Sequence, residues 1–267
     1  IQNLINLPQD DKVLAFINVL NLKDEEYINN HYIVMCTKQG IIKKTSLEAY
    51  SRPRVNGINA ITVREGDTLL EAKLTNGEQD IMLAVKSGKA IRFPESKVRS
   101  MGRNASGVRA ITVDSENDEV VGMIVVQEGD GFDVMVVSEQ GYGKRSALED
   151  YRITNRGGKG VKTITVTDKT GELVSLKAVT DEDDLMIITK KGTMIRMGVD
   201  TLRVMGRATQ GVRLITLRKG DEIASIAKVP ASEEEEDEVM DVEGVENTFD
   251  GDAPAAAEGG EETTSEE

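Results

Sequence analysis

The chain has 267 residues, of which 39% are apolar and only 3% aromatic, with no Trp, one Cys and one His. Its formal charge of −14 is unevenly spread: residues 1–230 hold 33 Lys and Arg against 31 Asp and Glu, whereas residues 231–267 hold 16 acids and no base. No run of about 18 apolar residues offers a membrane span, the lone Cys36 excludes an internal disulfide, and a single His31 leaves no Cys/His cluster for zinc.

In chain order, the first readable pattern is NLINL (3–7) followed by DDKVLAFINV (10–19). It matches only the closing half of a unit that then recurs four times at a period of about 50 residues. Each whole unit opens on a short apolar run: YIVMCT from Tyr32, IMLAV from Ile81, VMVV from Val134 and LMIIT from Leu185. A glycine turn follows, at Gly40, Gly88, Gly141 and Gly192, and then a polar loop ending on Gly57, Gly107, Gly160 or Gly211. Next comes an alternating strand, NAITV (59–63), RAITV (109–113), KTITV (162–166) or RLITL (213–217). An acidic turn and a last apolar strand close the unit, as in GDEIASIAKV (220–229). SLEAY (46–50) and ALEDY (147–151) are expected to make single helical turns, and little other helix is expected.

Short strands with period-two alternation, punctuated by Gly and Asp, read as β-hairpins. About four of them per unit is the pattern of a propeller blade. A sandwich or barrel also has many short strands, but neither has cause to repeat one loop at a fixed phase. The expectation is therefore all-β, a pinwheel or propeller-like repeat of four-stranded blades over residues 1–230. Its parts are a half repeat at 1–20 and whole repeats at about 28–76, 80–127, 133–180 and 184–230. The opening half repeat implies more of the repeat upstream. The acidic tail, 231–267, cannot bury enough apolar surface to offset its ordering entropy and is expected to be disordered; folding back on the body's cations in competition with a polyanion and an inert solubilising role are both open to it.

Read by repeat phase, charge falls in order. Four residues past each turn glycine stand Lys44, Arg92, Arg145 and Arg196, preceded in the first and third units by Lys43 and Lys144. Four residues before the loop glycine stand Arg103, Arg156 and Arg207, with Arg52 and Arg54 flanking Pro53 in the first unit. Two residues after that glycine come Arg109, Lys162 and Arg213. The acids gather at another phase, Asp10, Asp11, Asp67, Glu119, Glu172 and Asp221. Any one of these cations reads first as a solvated turn residue. Recurrence at fixed phase points instead to a stripe from blade to blade, suited to a polyanion whose phosphates release counterions on contact. The loop Thr154, Asn155, Arg156, Gly157, Gly158, Lys159 and Gly160 is a candidate cradle, since glycine permits positive φ and close backbone approach.

No recognition helix, zinc-finger spacing or aromatic platform for unpaired bases is present, so backbone contact with bending is the remaining mode of DNA binding. A protein-binding propeller scaffold is the reading from another class. No nucleophile elbow accompanies His31 and GGKG lacks the Walker spacing, so neither catalytic residues nor metal ligands are expected.

KQGIIKKTSLEAY (38–50), SGKAIRFPESKVRSMGRNASGVRAI (87–111), QGYGKRSALEDY (140–151) and VMGRATQGVRLI (204–215), with the acidic tail, make the chain resemble the C-terminal domain of bacterial DNA gyrase A. The resemblance implies a six-bladed β-pinwheel with strands exchanged between neighbours, of which about four and a half blades are present. It implies sequence-independent wrapping of double-stranded DNA in support of ATP-dependent negative supercoiling. It implies the upstream domains of gyrase A, together with gyrase B, as partners in an A2B2 holoenzyme, and a cytoplasmic, nucleoid-associated setting. ATP and Mg²⁺ would be bound on other domains, with no cofactor here. The family's box, Gln-Arg-Arg-Gly-Gly-Lys-Gly, belongs to the first blade. Arg156 to Gly160 match its last five positions, so TNRGGKG (154–160) resembles a later-blade counterpart, and the first-blade box is expected to lie outside the chain. The topoisomerase IV C-terminal domain, usually with fewer blades, is the rival within the resemblance.

Overall fold

The computed structural model describes residues 11–115, 117–127 and 129–231. Residues 1–10, which carry Asp10 and the start of the half repeat, and the tail from 232 onward lie outside the described residues. Among the described residues the compact unit is all-β apart from one six-residue helix, α1 (Glu25–Asn30), and three single 3₁₀ turns at Leu47–Tyr50, Glu95–Lys97 and Leu148–Asp150. Two of those turns fall on SLEAY and ALEDY.

The strands follow the repeat. The first unit forms β1 (Tyr32–Thr37), β2 (Ile41–Ser46) and β3 (Leu69–Thr75). The second forms β4 (Asp80–Val85), β5 (Lys89–Pro94), β6 (Val108–Arg109) and β7 (Val120–Val126). The third forms β8 (Asp133–Ser138), β9 (Tyr142–Ala147), β10 (Val161–Lys162) and β11 (Leu173–Val179), and the fourth β12 (Asp183–Thr189), β13 (Met194–Gly198), β14 (Val212–Arg213) and β15 (Ile223–Pro230). Each unit's first two strands form an antiparallel hairpin whose turn needs a left-handed residue. Gly40, Gly88, Gly141 and Gly192 supply it, with φ between 75° and 83°.

The sheets do not coincide with the units. They run β3-β1-β2-β6, β10-β5-β4-β7, β11-β8-β9-β14 and β13-β12-β15. Each short strand after a loop glycine therefore completes the sheet of the unit before it: β6 pairs with β2, β10 with β5 and β14 with β9. The alternating strands expected over five residues are in fact two residues long. Beyond each pair the chain turns away, because the next two amides both donate to one glycine carbonyl. Ala110 and Ile111 reach Gly40 O at 2.8 and 3.5 Å, and Thr163 and Ile164 reach Gly88 O at 2.8 and 3.3 Å. Asn59–Val63, the first unit's counterpart, enters no strand among the described residues.

Cores lie between successive sheets. Ile81, Leu83 and Val85 of β4 face the first sheet, while Met82 and Ala84 face the third. Likewise Val134 and Val136 of β8 pack one way and Met135 and Val137 the other. Burial on both faces explains why these strands read as continuous apolar runs rather than alternating ones. Cys36 is fully buried in the first of these cores. On the first sheet's other face lie α1 and residues 15–22, which pack on Ile33, Met35 and Leu47. Asp24 caps α1 by accepting from the Tyr27 amide at 3.1 Å, and His31 closes it by bonding Tyr27 O at 2.8 Å.

Candidate nucleic-acid interface

The cations expected to line one surface divide into three sets. Of the set four residues past the turn glycine, Lys44, Arg92 and Arg145 are buried and only Arg196 is exposed. Arg92 is 5% exposed, holds Asp80 at 2.8 Å through Nε and Nη2, and donates from Nη1 to Leu148 O. Arg145, 9% exposed, pairs with Asp133 at 3.2 Å and Asp181 at 2.5 Å and reaches Val199 O at 3.1 Å. Lys44 pairs with Glu95 at 3.5 Å and donates to Glu95 O. Each of the three thus reaches the carbonyl of a residue in or beside the short turn after the next sheet's hairpin. Arg196 has no such turn to reach and holds Asp184 and Pro230 O instead. In the first three units the sign recurs at this phase because Lys44, Arg92 and Arg145 each staple one unit to the next from a buried place.

Lys43 and Lys144 are also buried. Lys43 Nζ donates to the carbonyls of Ala60 and Arg103, and Lys144 Nζ to Gly206 O at 2.7 Å. Burial pulls the pKa of each down to about 8, with Arg103 adding to the effect at Lys43 and Arg207 at Lys144 against Asp150. Where the other units lack this carbonyl clamp, Ile91 and Ile195 occupy the place. These five side chains, Lys43, Lys44, Arg92, Lys144 and Arg145, are therefore removed from the candidate surface.

The loop set is half used. Arg156 donates from Nε to Lys97 O at 3.0 Å and from Nη1 to Arg109 O at 2.9 Å, and Arg207 makes the matching bond to Lys162 O at 2.8 Å. Arg103, Arg156 and Arg207 are half-buried. The box-like loop is not an empty cradle either. Gly157 N–H donates to Ala110 O, the carbonyls of Gly157 and Gly158 accept from Thr112 Oγ1 and N–H, and Thr154 holds Arg92 O. Gly160, at φ 77°, passes so close to the second sheet that a Cβ would lie 2.5 Å from Ala90 O. The loop's glycines serve the strand exchange. Only Asn155, Gly158 and Lys159 of the seven are exposed, and Lys159, 73% exposed, has Asp114 at 3.5 Å.

What does remain on the surface is the third set with its neighbours. Arg109, Lys162 and Arg213 are exposed on successive donated strands, and Arg52 and Arg54 are exposed in the first loop. Arg213 is oriented by two bonds to Tyr142 Oη at 3.3 and 2.9 Å and lies over that ring beside Lys169. Of the acids of the other phase, Asp67, Glu119 and Asp221 are engaged, as is Asp118 beside them. Asp67, Asp118 and Asp221 accept from hairpin-turn amides, and Glu119 pairs with Lys38 and Lys86. Among the described residues no group of three or more His, Cys, Asp or Glu is placed to hold a metal ion, and no helix is long and apolar enough to cross a membrane.

Three exposed arginines escaped the reading by phase: Arg99, Arg152 and Arg203. Their signal was a constant place eight residues before the loop glycine, directly after the buried Val98, Tyr151 and Leu202.

The family model for the DNA gyrase C-terminal domain, a β-propeller, matches residues 31–76, 79–127, 133–180 and 183–230. The DNA gyrase A protein of Staphylococcus aureus strain MRSA252 is 44% identical over 238 residues, covering 88% of this chain and 26% of that relative. The same protein of strain NCTC 8325 is 43% identical over 234 residues, with the same coverage. The chain thus spans about a quarter of the length of these relatives. Among solved structures, the C-terminal domain of DNA topoisomerase IV matches with a TM-score of 0.77 at 22% identity, over 86% of this chain and 69% of that one. A DNA gyrase A C-terminal domain matches with a TM-score of 0.72 at 24% identity, over 85% and 73%. At these identities the structural likeness speaks to fold alone.

Proposed function

Because the chain belongs to the DNA gyrase C-terminal domain family of β-propellers, we propose that it binds duplex DNA without reading base sequence and bends it along the edge where its units exchange strands. The supporting observation is the recurrence of exposed Arg109, Lys162 and Arg213 at one position of three successive units, with Arg52, Arg54 and Lys159 in the adjoining loops. Contacts of this kind go to phosphates, which position a duplex but carry no base information. Several along a curved path offset the cost of bending a stiff duplex, about 1–6 kcal/mol for a modest site. In this reading the chain serves a type II topoisomerase as the DNA-holding part of gyrase A. Strand cleavage, ATP and Mg²⁺ belong to the upstream domains and to gyrase B, within an A2B2 assembly in the cytoplasm, at the nucleoid. The topoisomerase IV alternative draws on structural likeness at 22% identity, whereas sequence identity reaches 44% with gyrase A.

Anisotropy titration of a labelled duplex at two salt concentrations tests the reading. Binding that weakens steeply with salt is expected. Absence of binding at low salt, or binding indifferent to salt, removes it and favours a protein-binding scaffold.

A further inference from the structure

Resting on that reading, we propose that Arg99, Arg152 and Arg203 form a second row of phosphate contacts, parallel to Arg109, Lys162 and Arg213, so that the duplex is held along two lines rather than one.

The backbone fixes both rows against the same edge strands. Immediately after the three arginines, Ser100, Ile153 and Val204 form parallel bridges with Lys44, Arg92 and Arg145 of the preceding unit. Their successors Met101, Thr154 and Met205 donate to the carbonyls of those same three residues at 2.8–2.9 Å. Immediately before the arginines, Val98, Tyr151 and Leu202 are buried, at 0%, 1% and 8% exposure. Each arginine is thus pinned between a buried anchor and an inter-unit bridge, while its own side chain is exposed. Among the described residues none of the three makes an ion pair or side-chain hydrogen bond, in contrast to the staples directly beneath them.

The spacing of the rows is constant. Arg109 lies opposite Ile41, Lys162 opposite Lys89 and Arg213 opposite Tyr142, each three residues before Lys44, Arg92 and Arg145 on the same strand. The bridges are parallel, so each arginine stands level with the residue before its neighbour's bridge partner, two residues from the first row, and at about 3.3 Å per residue the rows are roughly 7 Å apart along the edge strand. That lies between the minor- and major-groove widths of B-DNA, about 6 and 12 Å, so the rows suit phosphates on the two strands bordering one groove. An arginine at all three places, rigidly presented and uncompensated, is what a repeated phosphate contact needs. A merely solvated turn needs none of these features.

The test compares the intact chain with R99Q/R152Q/R203Q and with a charge-matched control away from both rows, K23Q/K73Q/K177Q, on the same labelled duplex across a salt series. Thermal melting confirms that all three remain folded. The proposal expects the arginine variant to bind roughly tenfold or more weakly near 100 mM salt and its log–log salt slope to be shallower by about three, with the control close to the unaltered chain. An unaltered chain that binds while the arginine variant keeps its affinity and slope overturns the second row and leaves duplex binding standing. Equal losses in the variant and the control overturn it as an effect of net charge. An unaltered chain that does not bind overturns both.

Discussion

At the scale of single residues, the repeat contains two kinds of cation that look alike in sequence and have opposite roles. Arg92, forked onto Asp80 and bonded to Leu148 O, neutralises a buried carboxylate and joins two units. Replacing it with Met leaves Asp80 without its partner and is expected to lower stability by about 3 kcal/mol, read from the denaturant midpoint. Lys144 is instead a buried cation whose charge burial disfavours. Its ordinary pKa of 10.5 falls to about 8 in the fold, so between these values the unfolded chain binds more protons and stability rises with pH. Below pH 8 both states carry the proton and the cost of the buried charge is fully present. The stability difference between the unaltered chain and Lys144→Met should therefore shift in favour of the unaltered chain from pH 7.5 to pH 10. A difference that stays level or moves the other way would contradict burial of a charged Lys144.

At the scale of elements, strand exchange is what the loop glycines make possible. A Cβ on Gly107, Gly160 or Gly211 would lie 2.5 Å from the carbonyl of Ile42, Ala90 or Gly143 in the sheet before, whereas one on Gly57 would meet nothing within 4 Å. All four have positive φ, so Ala at any of them carries a strain of about 1–2 kcal/mol. Only at the first three does it also push a donated strand out of its sheet. Gly160→Ala is expected to destabilise by at least about 2 kcal/mol more than Gly57→Ala, measured side by side by chemical denaturation. The same exchange explains why only the first residue of RAITV and of KTITV lies in a strand: Thr112 and Thr165 turn to hold the next loop through N–H and Oγ1.

At the scale of the whole molecule, binding and stability separate onto different side chains. Neutralising Arg109, Lys159, Lys162 and Arg213 together touches exposed groups and should leave the melting temperature nearly unchanged. It should make the salt dependence of duplex binding shallower by about four. Adding Arg145 to that set confuses the result, because its guanidinium is held between Asp133 and Asp181 and its loss unsettles the third sheet. A fourfold variant that melts early, or one that binds duplex as before, would each count against this division.

The repeat, its turn glycines and the all-β class were legible in the sequence alone, since hairpin turns and apolar strands are local and recur in every unit. Recurrence of charge was equally visible, but its meaning was not. A cation four residues past a glycine and one two residues past the next glycine have the same chemistry. Which is stapled under a neighbouring unit and which faces water depends on strand exchange between units. Burial and pairing are properties of that contact: it turns Arg92 and Arg145 inward, sets Gly160 against Ala90, and leaves Arg109, Lys162 and Arg213 on the outside.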